Sequence, residues 1–371
     1  MAGSLEAWIG RTRERHTRCL NWQSDGAVAL ALTVPVPDPA PLTERYTRPE
    51  VILEHQSHVA ETIVQVRSDQ LPCLHPCFNA AVLFSGLGGR VELHGQDIHY
   101  VPNRQSWVFD AHQPVPPPDS GLFPNVLAAM EHLAKHAPSW AAVTTPYFHT
   151  PLNTAALLRD PAAFYLDVLD QPDEIHRVLA TVTKTFIESQ RLLHARLGRG
   201  VTPSVSQEGI HLADMTKFSD DCCVNLGPAH IEEFDVAYTQ KIAAAFDMGV
   251  ATHYCVLPDK GQLAEHCIEP NAGAAHVRVL CNQYTPEYFL QNYERFDRRL
   301  ALVSQSGSVT RFGATPAERA QRFKTWATEF LTRFAGRSGL IIQWSVPTVA
   351  EAQKLFGIWE SVNRWSAPAA Q

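Results

Sequence analysis

The chain has 371 residues, 45% hydrophobic and 19% charged, a balance that excludes an unfolded polyelectrolyte and suffices for a large buried core. A formal net charge of −7 argues against a nucleic-acid partner, whose phosphates need a dense cationic surface. No segment approaches the roughly 18 uninterrupted apolar residues of a membrane span.

Residues Ala27 to Pro35 read as a strand buried on both faces, because VALALTV is apolar without alternation and prolines stop it. The residues before it form an N-terminal extension. Pro49 to Val66 reads as an amphipathic helix, followed by an apolar segment at Leu71 to Leu74. Gly86, Gly88 and Gly89 lie in a glycine-rich stretch that completes neither phosphate-binding fingerprint and reads as a tight turn. Val91 to Val101 alternates like an exposed hairpin, and residues 112 to 124, with Pro114, Pro116, Pro117, Pro118 and Pro124, read as a stiff surface loop. Together they make an excursion near 90–124.

A strand–helix rhythm then sets in. Ala141 to Thr145 is a short strand, PYFHTPLN a loop, and Asp160 to Leu197 mostly helix. Val205 to Ile210 and Lys217 to Cys223 read as strand or loop, and Pro228 to Asp247 as a helix with Ile231, Phe234, Ala237, Ile242 and Phe246 on its apolar face. Strands are expected at Val250 to Tyr254, Ala275 to Cys281, Leu300 to Gln305 and Leu340 to Trp344. Between and after them come a helical turn at Gly261 to Cys267, a helix opening at Pro286, and helices Pro316 to Phe334 and Val349 to Val362. Strands too apolar to face water imply a parallel sheet. About eight units, with no dinucleotide fingerprint after the first strand, favour a single-domain (β/α)8 TIM barrel with its core over about residues 27–365. An open doubly wound sheet satisfies the same rhythm.

In a barrel the C-terminal strand ends surround the reaction centre. The eight cysteines are Cys19, Cys73, Cys77, Cys222, Cys223, Cys255, Cys267 and Cys281. Met1 to Ile9 runs straight into charged RTRER, unlike a secretory leader, so a reducing cytoplasm is expected and the thiols stay free to pack or bind metal. His253-x-Cys255 closes a strand, where alternate side chains share a face and can reach one ion. Cys281 closes the next strand; with it the pair forms a Cys2His set suited to Zn2+, with a fourth place for water or substrate. Cys267 is a rival third ligand, and the competing view is three unconnected residues. Asp220 and Asp221 are candidate acid, base or substrate clamp, and as neighbours on extended chain they point apart. Glu208 and His211 can bind metal or relay protons, and His149 and Tyr147 stand on an earlier loop. His75, Asn79, His211 and Gln343, at or near other strand ends, are expected on the cofactor-binding side of the mouth.

FSDDCCVNLGPAHIEEFDVAYTQKIAAAFDMGVATHYC, residues 218–255, resembles the uroporphyrinogen decarboxylase-like superfamily, and more closely its cobalamin-dependent methyltransferase branch. GLGGRVEL and the C-terminal order of elements are also similar, so the resemblance covers most of the chain from about residue 50. It implies that His253 and Cys255 are zinc ligands, that the metal activates the thiol of a methyl acceptor, and that the methyl group arrives on a corrinoid carried by a partner protein. The branch has a third ligand, a cysteine near the last strand end, where this chain has Trp344 and Ser345. The decarboxylase is a weaker match, since its N-terminal arginine-bearing RQAGR-like segment is absent and Arg45 and Arg48 lack that context.

The expected function is zinc-dependent methyl transfer to or from a small-molecule thiol or a corrinoid (cobalamin). A metal-assisted decarboxylase or lyase of a small acidic substrate is the enzyme alternative, and a non-catalytic corrinoid- or tetrapyrrole-binding protein the other. The superfamily resemblance also makes a homodimer plausible.

Overall fold

The computed structural model describes residues 4–76, 78, 81–101, 119–198, 202, 204–255 and 264–365. Asn79, the prolines at 114, 116, 117 and 118, and the start of the turn expected at Gly261 lie outside the described residues.

The strands are β1 (Ala29–Thr33), β2 (Cys73–Leu74), β3 (Arg90–His94), β4 (Asp97–Val101), β5 (Ala142–Val143), β6 (Phe148–His149), β7 (Met215–Asp220), β8 (Gly249–Tyr254), β9 (Val277–Asn282), β10 (Ala301–Ser304) and β11 (Leu340–Ser345). Seven of them form one parallel sheet in the order β1-β11-β10-β9-β8-β7-β6. The first and last strands of the chain are thus side by side. β2 pairs with β5 in parallel, and β3 with β4 as the antiparallel hairpin expected of that alternating stretch. The fold is α/β, with a mostly parallel sheet and flanking helices.

Both faces of the sheet are apolar, for different partners. One face packs on the helices through Leu30, Leu32, Phe218, Leu280, Leu302 and Ile342. The opposite parity (Ala29, Ala31, Ala251, Val279, Cys281, Val303 and Ile341) forms a second, smaller core. Helix Leu5–Leu20, capped by the Ser4 hydroxyl, joins it through Cys19 and Leu20. Its apolar residues sit at the two ends, Leu5 to Ile9 and Cys19 to Leu20, with charged RTRER between them, so no continuous apolar stripe announced it in the sequence.

The segment before β2 is tied to β1 by a small polar staple. The Asp69 N–H donates to the Leu30 carbonyl at 3.0 Å, and the Leu30 N–H returns a bond to Asp69 Oδ2 at 3.0 Å. Ser68 Oγ accepts from the Leu32 N–H at 3.0 Å, and Arg15 of the first helix reaches Asp69 Oδ1 at 2.9 Å. Among the described residues no helix is long and apolar enough to cross a membrane.

Asp69 is 1% exposed, so removing its carboxylate leaves the buried Leu30 N–H without its acceptor, while Arg15 keeps its second partner, Glu360. Asp69→Ala is predicted to lower the free energy of unfolding by about 1–3 kcal/mol, measured by urea denaturation. A loss within the error of the extrapolation would show that the staple contributes nothing.

Candidate metal centre

Strand register sets the height of each polar side chain. His149 pairs with Ser219 across β6 and β7, and Ser219 with His253 across β7 and β8. Side chains two residues apart share a face. Tyr147, Lys217, Ala251 and Val279 therefore lie one row below, and Asp221, Cys255 and Gln283 one row above.

At the upper row three side chains converge. One ligand atom each from Asp221, His253 and Cys255 lies within 4.8 Å of the other two. His253 Nε2 is 3.2 Å from Cys255 Sγ. The other ring nitrogen, Nδ1, meets the Cys281 carbonyl oxygen. A carbonyl only accepts, so Nδ1 carries the proton and Nε2 turns its lone pair toward Cys255. Burial lowers the His253 pKa, which keeps this ring neutral. Burial and the adjacent Asp221 carboxylate push the Cys255 thiol up to about 12. A nitrogen lone pair, a thiol and a carboxylate aimed at one point fit a borderline-soft divalent ion, which would reverse the penalty on the thiolate.

Cys281 does not join this group. Its thiol points into the small inner core beside Ala251 and Val279, where burial pushes it up to about 12. It stands at the height of His253, whereas the ring faces upward; on β9 the residue in the upper row is Gln283. Gln283 Nε2 lies 3.4 Å from His253 Nε2 and 3.9 Å from Cys255 Sγ. The nearest carboxylate fills the place given to Cys281. Cys267 is buried in the larger core, on the helix side of the sheet.

Around the three lie the other expected residues. His149 Nε2 is 3.9 Å from Asp221 Oδ2, and burial drops its pKa to about 4. Tyr147 packs edge-on against His149, with ring centroids 5.9 Å apart. Glu208 forms an ion pair with Lys217 beneath the mouth. Burial opposes its ionisation, yet the Lys217 charge and hydrogen bond bring it to about 2. Glu208 is held there by Gly209, whose φ is +76° and whose missing Cβ would meet the Leu71 carbonyl oxygen at 2.4 Å. Gln343 Nε2 donates to the Glu208 carbonyl at 3.1 Å and its Oε1 accepts from Gln305 at 2.9 Å. His75 is half-buried, desolvation pulls its pKa down to about 4, and its backbone N–H donates to Gln56.

Two expected residues are elsewhere. His211 lies beside the first helix, its backbone N–H donating to His16 Nδ1 at 3.0 Å, while its ring Nδ1 meets the Ser204 carbonyl oxygen at 3.1 Å. Asp220 faces the helices because its parity is opposite to that of Asp221; it closes a second, fully buried group with Cys223 and Asp235. Lys217, Gln283 and Asp235 were missed in the sequence. Parity was the available signal for the first two, counted back from Asp221 and forward from Cys281. Asp235 had none, since it sits inside a helix pattern.

No family model matches the chain, and no curated protein does. Among solved structures it is similar to a methyltransferase from Methanosarcina mazei, with a TM-score of 0.65 and 15% identity over 94% of this chain and 98% of that one. The likeness is one of fold.

Of the seven cysteines in the described residues, Cys255 alone is exposed. Brief treatment with iodoacetamide followed by peptide mapping is expected to label Cys255 ahead of the other six, and prior Zn2+ to slow that labelling. Faster labelling of Cys281 would contradict the arrangement.

Proposed function

We propose that the chain is a (β/α)8-barrel, zinc-dependent methyltransferase acting on a thiol or a corrinoid-linked methyl group. The barrel reading takes β1, β2, β5 with β6, and β7 to β11 as eight staves of one domain, with the Asp69–Leu30 staple joining the second stave to the first. The observation that carries the function is the convergence of His253 Nε2, Cys255 Sγ and an Asp221 oxygen within 4.8 Å at the C-terminal strand ends.

In this reading those three side chains hold the ion and leave a fourth position for the substrate sulfur. When bound, zinc supplies Lewis acidity that keeps the acceptor as a thiolate at neutral pH. The protein does the rest by placement. The Cys281 carbonyl fixes the His253 ring, a backbone contact of the kind that orients metal-bound imidazoles. His149, neutral and with no hydrogen bond at Nδ1 among the described residues, offers a lone pair that orients a donor on the substrate. Glu208, ionised and paired, serves as a fixed charge under the mouth and not as a proton relay. Gln343 and Gln305 brace the segment that bears it, and His75 lies on that same side of the mouth. The corrinoid would be presented by a separate protein at the open end.

A second reading, a metal-assisted decarboxylase or lyase, draws on Lys217, whose ammonium beneath the ligands suits a substrate carboxylate.

Metal analysis separates these ideas from a binding scaffold. The purified protein is predicted to hold about one zinc per chain, lost in His253→Ala, Cys255→Ser and Asp221→Ala and kept in Cys281→Ser. Thiol-dependent demethylation of methylcobalamin by the zinc-loaded protein singles out methyl transfer. Zinc kept in Asp221→Ala but lost in Cys281→Ser would restore the Cys2His set.

A further inference from the structure

The second buried group lies directly behind the first, on the helix side of the sheet. Asp220 is 0% exposed and Asp235 1%, with Thr150 and Tyr254 at 0%. Asp220 accepts from the Thr150 hydroxyl, from the Cys222 and Cys223 N–H groups at 2.9 and 2.8 Å, and from Cys222 Sγ at 3.2 Å. Asp235 accepts from the Tyr254 hydroxyl at 2.8 Å, and one of its oxygens lies within 4.8 Å of ligand atoms of Asp220 and Cys223; burial beside Asp220 raises its pKa well above the usual carboxylate range. Asn271 Nδ2 closes the set on the Tyr254 oxygen at 2.9 Å.

Three members are joined in the chain to residues of the first group or its neighbour His149. Thr150 follows His149, Asp220 precedes Asp221, and Tyr254 stands between His253 and Cys255. The register pairs Asp220 with Tyr254, so the two strands present them together. Asp235 reaches them from the π-helical turn Glu232–Val236, set between the α-helical segments Pro228–Ile231 and Ala237–Phe246. A widened turn is unfavourable in an uninterrupted helix and occurs often at functional sites. Four donors already occupy the Asp220 oxygens, which leaves little room for a cation among them. The group is a hydrogen-bonded clamp.

We infer that Asp235, acting through Tyr254 and Asp220, is a positioning residue that holds the β7 and β8 ends so that Asp221, His253 and Cys255 meet at one ion. This rests on the metal reading above. Side chains of this supporting kind typically change metal affinity by about 10–100-fold when removed.

The test titrates Co2+ into the full-length protein and follows thiolate-to-cobalt absorption, with circular dichroism to confirm folding. Asp235→Ala and Tyr254→Phe are expected to weaken Co2+ binding by about 10–100-fold and to alter the spectrum. Asp235→Asn, which keeps an acceptor for the Tyr254 hydroxyl, is expected to restore both. Folded Ala and Phe variants with the parent affinity and spectrum would overturn the inference, and Tyr254→Phe decides it alone if Asp235→Ala does not fold. Absence of Co2+ binding by the unmutated protein would instead remove the metal reading, and the clamp's role with it.

Discussion

The hydrogen bond from His253 Nδ1 to the Cys281 carbonyl constrains the whole upper end of the sheet. It spends one ring nitrogen on the backbone of the neighbouring strand and so leaves only Nε2 for chemistry. It also fixes the rotation of the imidazole, so that Nε2 faces the row of Asp221, Cys255 and Gln283 and not the row below. Cys281 is excluded by the same contact: its carbonyl, not its thiol, serves the histidine.

Charge distribution around that row is uneven in a useful way. Lys217 and Glu208 cancel each other beneath the mouth. Above them the Asp221 carboxylate lies against the Cys255 thiol, and burial together with Asp221 drives the thiol pKa upward. A thiolate is the useful form for binding a metal. In the metal reading a divalent cation would reverse that penalty.

Behind the sheet, the same strands carry a dry polar clamp on their opposite parity. Each of the two strand ends thus performs two tasks through alternate side chains: at β7 Asp221 faces the candidate metal centre and Asp220 the clamp; at β8 His253 faces the centre and Tyr254 the clamp. Burying two carboxylates is costly, and the set of donors around Asp220 offsets much of that cost while fixing where the strand ends lie.

Much of the architecture was legible in the chain. Helices Pro49–Val66, Pro316–Phe334 and Val349–Val362 lie where periodicity and their prolines or caps put them. Strands β1, β8, β9, β10 and β11 fall within a few residues of the apolar runs. The His253-x-Cys255 pairing follows from two-residue alternation on a single strand, and so does the divergence of Asp220 from Asp221. Such local rules need no knowledge of neighbours. The third member of the cluster, the position of His211 beside the first helix, the Lys217–Glu208 pair and the clamp at Asp235 all depend on inter-strand register and helix placement. Register is a property of two segments at once: it decides whether Cys281 or Gln283 stands level with Cys255. That choice is made only when β8 and β9 hydrogen-bond, and no spacing within either strand contains it.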